Sequence, residues 1–376
     1  MQRDLTLVVL SMFTWGLGEG LYLYLQPIHL GRMGANPVQI GLIYSALGIA
    51  MTIAHIPAGY LSDRLGRRPL MWASWIMGTA AGLLMALAVS LPLFITGLLA
   101  YGVTAFVMSP LNSYVTAAKG AWSTQRALTT VSAAYSMGAI IGPGVGGWLA
   151  NLVGLRQVYG FSVGVFAIST LVILQIRPQP VEERIREGGQ RRWHFQPGYW
   201  RYMIAVLLIM FGSMLAQPLS SNYLEQVHHL SLEQIGLLGS LASLGVTTLG
   251  LTLGRLRARS ALLLAQACVG GFTILLWRGN NLWWFGWGYF LMGGYRIVRS
   301  MAIAQTRSLV QSTQMGLAYG VTEAVSGIAT ILAPFAAGIL YQRQAELMYP
   351  VSLALIVLAM IVSVYLAPAE EENAYA

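Results

Sequence analysis

Apolar runs of about 20 residues, separated by short polar turns, recur along the whole chain, and each is long enough to cross a hydrocarbon core of about 30 Å as a helix. A chain built this way has to satisfy its backbone hydrogen bonds inside each segment, because lipid offers none, and that restricts the spans to helices. The runs are expected at residues 5–27, 37–61, 69–90, 92–117, 126–151, 157–176, 199–224, 232–254, 260–277, 282–308, 316–342 and 348–367. Composition agrees: 56% of the 376 residues are hydrophobic and 9% charged, against about 45 to 50% apolar and about a quarter charged in soluble domains. The fold class is therefore an all-α polytopic membrane protein with 12 transmembrane helices. The first run follows Arg3 and no small-residue cleavage site follows it, so it is expected to be a retained helix. Cys268 is the one cysteine, which excludes an internal disulfide.

Basic residues orient such a chain, because Lys and Arg in short loops favour the cytoplasmic side. With an internal N-terminus, sixteen of the 22 Lys and Arg fall in cytoplasmic segments, whereas Arg32, Arg156, Arg278 and Arg343 fall outside and Arg296 and Arg299 lie within a span. The net charge of +9 is thus accounted for by topology, and no nucleic-acid partner is expected. The expected location is the plasma or inner membrane of a cell, crossed many times, with both termini cytoplasmic. Trp283, Trp284 and Trp287 then sit at the outer interface, where amphipathic rings are favoured.

The longest polar stretch, Arg177 to Gly198, divides the chain into expected domains: a six-helix bundle at 1–176, a cytoplasmic linker at 177–198, a second six-helix bundle at 199–367 and a tail at 368–376. An offset of 191 residues aligns Gln26-Pro27 with Gln217-Pro218, Gly59 with Gly250, Arg64 with Arg255, Gly102 with Gly293, Pro143 with Pro334 and Gly147 with Gly338. The tetrapeptide QIGL at Gln39 recurs at Gln234, an offset of 195. Prolines and glycines kept in register across the helix pairs point to an internal duplication. Two such halves suggest a secondary transporter whose site lies near the bilayer midplane.

The stretch GYLSDRLGRRPL, Gly59 to Leu70, resembles the signature between helices 2 and 3 of the major facilitator superfamily, with Gly59, Asp63, Arg64, Gly66, Arg67 and Arg68 matching. The resemblance extends over essentially the whole chain and is to the 12-helix drug/proton antiporter type. It implies two six-helix bundles working by alternating access, with Asp63 closing the cytoplasmic side against the start of helix 11. A carboxylate suits that position because a helix N-terminus carries partial positive charge. The arginines also suit an anionic leaflet, and a topology anchor without gating is the alternative role. In the repeat copy, Gly254 stands where Asp63 would be, so gating is expected to be asymmetric. Family exporters often carry an arginine in helix 4, and Gly97 to Val115 has none, which leaves the coupling group to be sought elsewhere.

Helix 5 carries GAIIGPGVGG, Gly138 to Gly147, similar to the glycine-proline motif of superfamily exporters. Gly138, Gly142 and Gly146 share a face at four-residue spacing and let another helix approach closely. Pro143 permits a bend, and with Gly147 these are gating candidates. Pro334 is the counterpart in helix 11. The GxGxxG match within the decapeptide lacks a strand-turn-helix setting, as does the nucleophile-elbow match at Gly160 to Gly164. His228 and His229, adjacent in sequence, do not form a ligand pair on a helix. No metal, cofactor or enzymatic activity is expected.

Ionisable groups inside a span are costly and face a cavity, a partner or a proton path. Glu19, in WGLGEGLYLYLQP, and Glu323, in YGVTEAVSG, are the candidates for proton coupling. Arg296 and Arg299 lie three apart on one face of helix 10, and the resemblance places helices 1, 4, 7 and 10 around the central cavity. A functional role for Glu19 and Arg296 stands against a structural ion pair, and Glu323 can equally serve to satisfy an arginine. Tyr22, Gln26, Asn112, Ser213, Gln217 and Asn222 are further cavity candidates, although polar side chains also bond across packed helices. His55 reads as a packing residue.

The expected function is proton-coupled efflux of small amphipathic or hydrophobic compounds by a protein working as a monomer in the bilayer, with a small-molecule substrate and protons or another coupling ion as its partners. Uptake of a polar or anionic solute by symport is one alternative. A non-transporting membrane receptor or scaffold is another.

Overall fold

The computed structural model of the chain describes residues 3–179, 197–310 and 315–366. The side chains of residues 55–64, 197, 308 and 315–317 lie outside this description, and with them Gly59, Asp63, Arg64 and His55; so do residues 180–196 of the linker and the 368–376 tail. In chain order the helices are α1 (Arg3–Leu23), α2 (Gln26–Arg32), α3 (Pro37–Leu65), α4 (Arg67–Leu87), α5 (Leu91–Val103), α6 (Met108–Ala117), α7 (Thr124–Val153) and α8 (Leu155–Ile173). The rest are α9 (Pro197–Leu215), α10 (Ser220–Gln226), α11 (Leu232–Leu253), α12 (Ala258–Arg278), α13 (Leu282–Met292), α14 (Gly294–Thr306), α15 (Met315–Arg343) and α16 (Met348–Leu366).

Among the described residues, 11 segments are long and apolar enough to cross a membrane. The twelfth expected span is present as α13 and α14, broken at Gly293, so that neither half reaches full length by itself. Glycine pairs are a common cause of such kinks. The chain is thus a multi-pass membrane protein with helices at all twelve expected places. The first expected span, residues 5–27, differs in detail. It ends as α1 at Leu23, turns at Tyr24-Leu25 and resumes as α2 with Pro27 in its first turn. Proline fits a helix start, where no backbone N–H is needed, and disfavours an interior position. The fourth span likewise changes to a tighter turn at Thr104–Val107 between α5 and α6.

Contacts divide the chain into two compact units, and these interleave in sequence. Unit 1 is Met1–Ala35, Ala46–Glu187 and Leu224–Ser240; unit 2 is Asn36–Ser45, Gly188–Tyr223 and Leu241–Ala376. Unit 1 has a core of Leu5, Val8, Met71, Trp75, Leu111 and Tyr114. Ser169 links three of its helices: its hydroxyl donates to the Ser11 carbonyl at 2.7 Å and accepts the Trp75 indole N–H at 3.0 Å. The core of unit 2 includes Tyr202, Met203, Ile209, Leu262, Val269 and Val298.

The duplication is visible as a repeated backbone contact. In unit 1 a methyl added at Gly147 of α7 would lie 2.6 Å from the Leu232 carbonyl oxygen of α11, and one at Gly236 would fall on the Pro143 carbonyl. In unit 2 a methyl at Gly338 of α15 would lie 2.5 Å from the Pro37 carbonyl oxygen of α3, and one at Gly41 would fall on the Pro334 carbonyl. The α7 and α15 members differ by 338 − 147 = 334 − 143 = 191, and the α11 and α3 members by 232 − 37 = 236 − 41 = 195. Both offsets read from the sequence therefore come together in one pair of matching contacts. This explains the interleaving: the first turns of α3 belong with α15, and the first turns of α11 with α7.

Candidate functional site

The stripe Gly138, Gly142 and Gly146 meets α1. A methyl at Gly142 would lie 2.6 Å from the Leu17 carbonyl oxygen and 2.8 Å from the Gly20 Cα; those at Gly138 and Gly146 would fall on the Phe13 and Leu21 carbonyls. From α1, Gly16 and Gly20 face the same contact, against Tyr135 and Gly142. Two helices without side chains at their crossing pack backbone to backbone. Their polar residues beside the crossing are brought into hydrogen-bond range.

That is how Glu19 finds its partner. It stands between Gly18 and Gly20, and the Tyr135 hydroxyl, one turn before Gly138, donates to Glu19 Oε2 at 2.7 Å. The glycine stripe read from the sequence extends back to Tyr135 at spacings of three, four and four, so a helical projection of the motif contains the signal for this residue. Trp15, Glu19 and Tyr22 follow one another at four and three residues and share a side of α1, and Gln26 follows past the turn, at the start of α2. The Trp15 indole N–H donates to the Tyr101 hydroxyl at 3.2 Å and its ring stacks on Phe166 at 4.3 Å between centroids. Tyr22 is buried and stacks on Tyr159 at 4.9 Å. Gln26 is buried, and its Nε2 has no hydrogen-bond partner among the described residues. The structure therefore joins a carboxylate, a phenol and an aromatic layer in unit 1.

Past this layer, His29 of α2 is buried between the rings of Phe94 and Tyr159, at centroid distances of 5.0 and 5.1 Å. Burial, then Arg32 and Arg156, oppose its protonation and push its pKa from 6.5 down to about 4. Unfolding releases that restraint, so between these values the unfolded chain holds a proton that the folded chain does not. Stability from neutral His29 is full above pH 6.5 and is lost as pH falls towards 4. Purified protein should show a falling melting temperature over that interval, and His29→Phe, which keeps the ring contacts, should flatten that part of the profile. An unchanged profile would remove His29 as its source. Arg32 also bonds Glu225 at 2.7 Å, a partly exposed pair whose contribution solvent screening holds within about 1 kcal/mol.

Unit 2 holds the other intramembrane charges. Arg299 Nη2 lies 2.6 Å from Glu323 Oε2, joining α14 to α15, with the side chains 49% and 44% exposed. Glu323 thus satisfies Arg299. The exposed side chain of Arg296 has no hydrogen bond or ion pair among the described residues. Ser213 is buried with no partner for its hydroxyl among the described residues, and Gln217 Nε2 donates back to the Ser213 carbonyl at 2.6 Å. Asn222 is buried in α10, whereas Asn112, in unit 1, is exposed. Among the described residues no cluster of His, Cys, Asp or Glu could hold a metal ion.

In the charged turn, Gly66 separates α3 from α4 at φ +80°, a conformation that glycine adopts without strain. Arg67 Nη1 donates to Gln179 Oε1 at 3.2 Å, and the Arg68 guanidinium lies 3.8 Å from the centre of the Trp72 ring. A cation over an indole is a favourable contact.

The family model described as Major Facilitator Superfamily matches residues 8–203 and again 202–375. Among curated proteins, the chain is 27% identical over 224 residues to Multidrug resistance protein 2 of Bacillus subtilis (strain 168), a match covering 56% of each protein. The chain spans about half the length of the first curated relatives it matches. It is 22% identical to the Quinolone resistance protein NorA of Staphylococcus aureus (strain COL), across 99% of this chain and 100% of that one. Among solved structures, the nucleoside transporter NupG aligns with a TM-score of 0.75 at 15% identity, covering 97% of this chain and 98% of the other. At that identity the likeness shows the fold.

Proposed function

The chain belongs to the major facilitator superfamily, and from that premise we propose that it is a secondary active exporter of small amphipathic compounds, driven by protons moving the opposite way. It works by alternating access in a cell membrane, with the termini on the cytoplasmic side and one chain sufficient for transport. The multidrug and quinolone resistance names of its relatives support export of such compounds. The observation that carries the coupling is Glu19, a carboxylate inside the first span held by Tyr135 at 2.7 Å. A carboxylate inside a span gains and loses a proton at a cost set by its surroundings, so it can register which side of the membrane it faces. The glycine contacts of α7 with α1 and α11 supply smooth backbone surfaces on which helices can shift, and Asp63 is the latch in this scheme.

The test is flux in proteoliposomes containing purified protein. An imposed pH gradient should drive ethidium, a bis-benzimide dye or a fluoroquinolone across the membrane, and an ionophore that collapses the gradient should stop it. Absence of gradient-driven movement of any compound in a broad panel, with binding intact, would overturn the proposal.

A further inference from the structure

The α13–α14 pair runs from Leu282 to Thr306. Arg296 is 14 residues from one end and 10 from the other, which at about 1.5 Å per residue is roughly 21 and 15 Å. It therefore stands well inside a hydrocarbon core of about 30 Å. Within the described part of unit 2 the carboxylate residues are Glu323 and Glu346, and Glu346 lies in the short turn Ala345–Leu347 that precedes α16. Among these described residues, one carboxylate thus serves two guanidiniums. Arg299 with Glu323 is neutral, and Arg296 leaves a net charge of +1.

Exposure of all three side chains sharpens the point. Charges exposed at this depth face a water-filled cavity, because lipid would make them very costly. A solvated guanidinium with apolar surroundings attracts an anion more strongly than it would in bulk water. Its planar fork matches a carboxylate with two parallel hydrogen bonds. We infer that unit 2 carries an anion-binding site at Arg296, which takes the carboxylate or similar head group of a monovalent organic anion, with Arg299 held in reserve by Glu323. The inference rests on the transporter reading and adds to it a subsite for cargo that carries an anionic head group.

Three matched probes test it: pyrenebutyrate, the neutral pyrenebutanol and a pyrenebutyl-trimethylammonium cation. Energy transfer from the 11 tryptophans to pyrene reports binding to the full-length protein in nanodiscs. Pyrenebutyrate should bind more tightly than the other two. Arg296→Gln should weaken it by about tenfold to a hundredfold, the scale of a charge-assisted hydrogen bond, and leave pyrenebutanol within about twofold. Glu323→Gln, which frees Arg299, should tighten pyrenebutyrate and so provides a gain-of-affinity arm if Arg296→Gln fails to fold. Pyrenebutyrate binding no tighter than the cation, or unaffected by either substitution, would overturn the site. Flux separates this from the transporter reading: tight binding without gradient-driven movement of any probe or dye rejects transport and leaves the site standing. Export of the dyes without preferential pyrenebutyrate binding does the reverse.

Discussion

Glu19→Gln is expected to lower gradient-driven flux by at least about a hundredfold while the protein remains folded and monodisperse. The amide has the shape of the carboxylate and can still bond to Tyr135, now 2.7 Å from Oε2, so the α1–α7 contact survives. It cannot take up or release a proton at working pH. A coupling step that needs that proton is therefore lost as a whole rather than weakened, whereas binding of a neutral ligand persists. Flux in proteoliposomes, followed across external pH, checks both parts. Wild-type flux with an unchanged pH profile would take Glu19 out of the coupling mechanism and shift attention to Glu323, whose salt bridge with Arg299 at 2.6 Å offers a second place for protonation to act.

Gly146→Leu should have the largest effect on the fold. Even the first carbon of the new side chain would fall on the Leu21 carbonyl of α1, and backbone cannot rotate aside as a long side chain can. Helix separation would also disturb the neighbouring contacts of Gly138 and Gly142, so the cost is expected to reach about 3 kcal/mol, the upper part of the usual range for overpacking. The variant should lose most of its monodisperse fraction in size-exclusion chromatography. Gly160→Leu is the control, since nothing lies within 4 Å of a methyl placed there. Similar melting temperatures for the two variants would mean that α1 and α7 do not depend on this close approach.

The repeat was legible because proline and glycine are read through the backbone. The offsets of 191 and 195 predicted equivalent positions, and the structure places them in equivalent contacts at Gly147 and Gly338. The glycine face of α7 was equally plain, since four-residue spacing is a property of the helix itself. Its partner was not, because α1 is more than a hundred residues away and nothing local specifies which helix fills a smooth surface. For the same reason Glu19 was visible as a costly charge but its bond to Tyr135 was not. The breaks at Tyr24-Leu25 and Gly293 escaped a hydropathy reading, which registers apolar length and is blind to a turn made of apolar residues. Spacing placed the two arginines of α14 on one face, and only coordinates distinguish the one paired with Glu323 from the one without an acidic partner among the described residues.

Within α7, the residue after Pro143 has a backbone hydrogen bond to another helix: the Gly144 N–H donates to the Ser240 hydroxyl of α11 at 2.9 Å. An amide held by a neighbouring helix trades its hydrogen with solvent when the helices part, so its exchange rate records how often they do so. Gly144 is in effect a clock placed in the backbone, and deuterium uptake at this one position would time the separation of α7 from α11 without any label being attached.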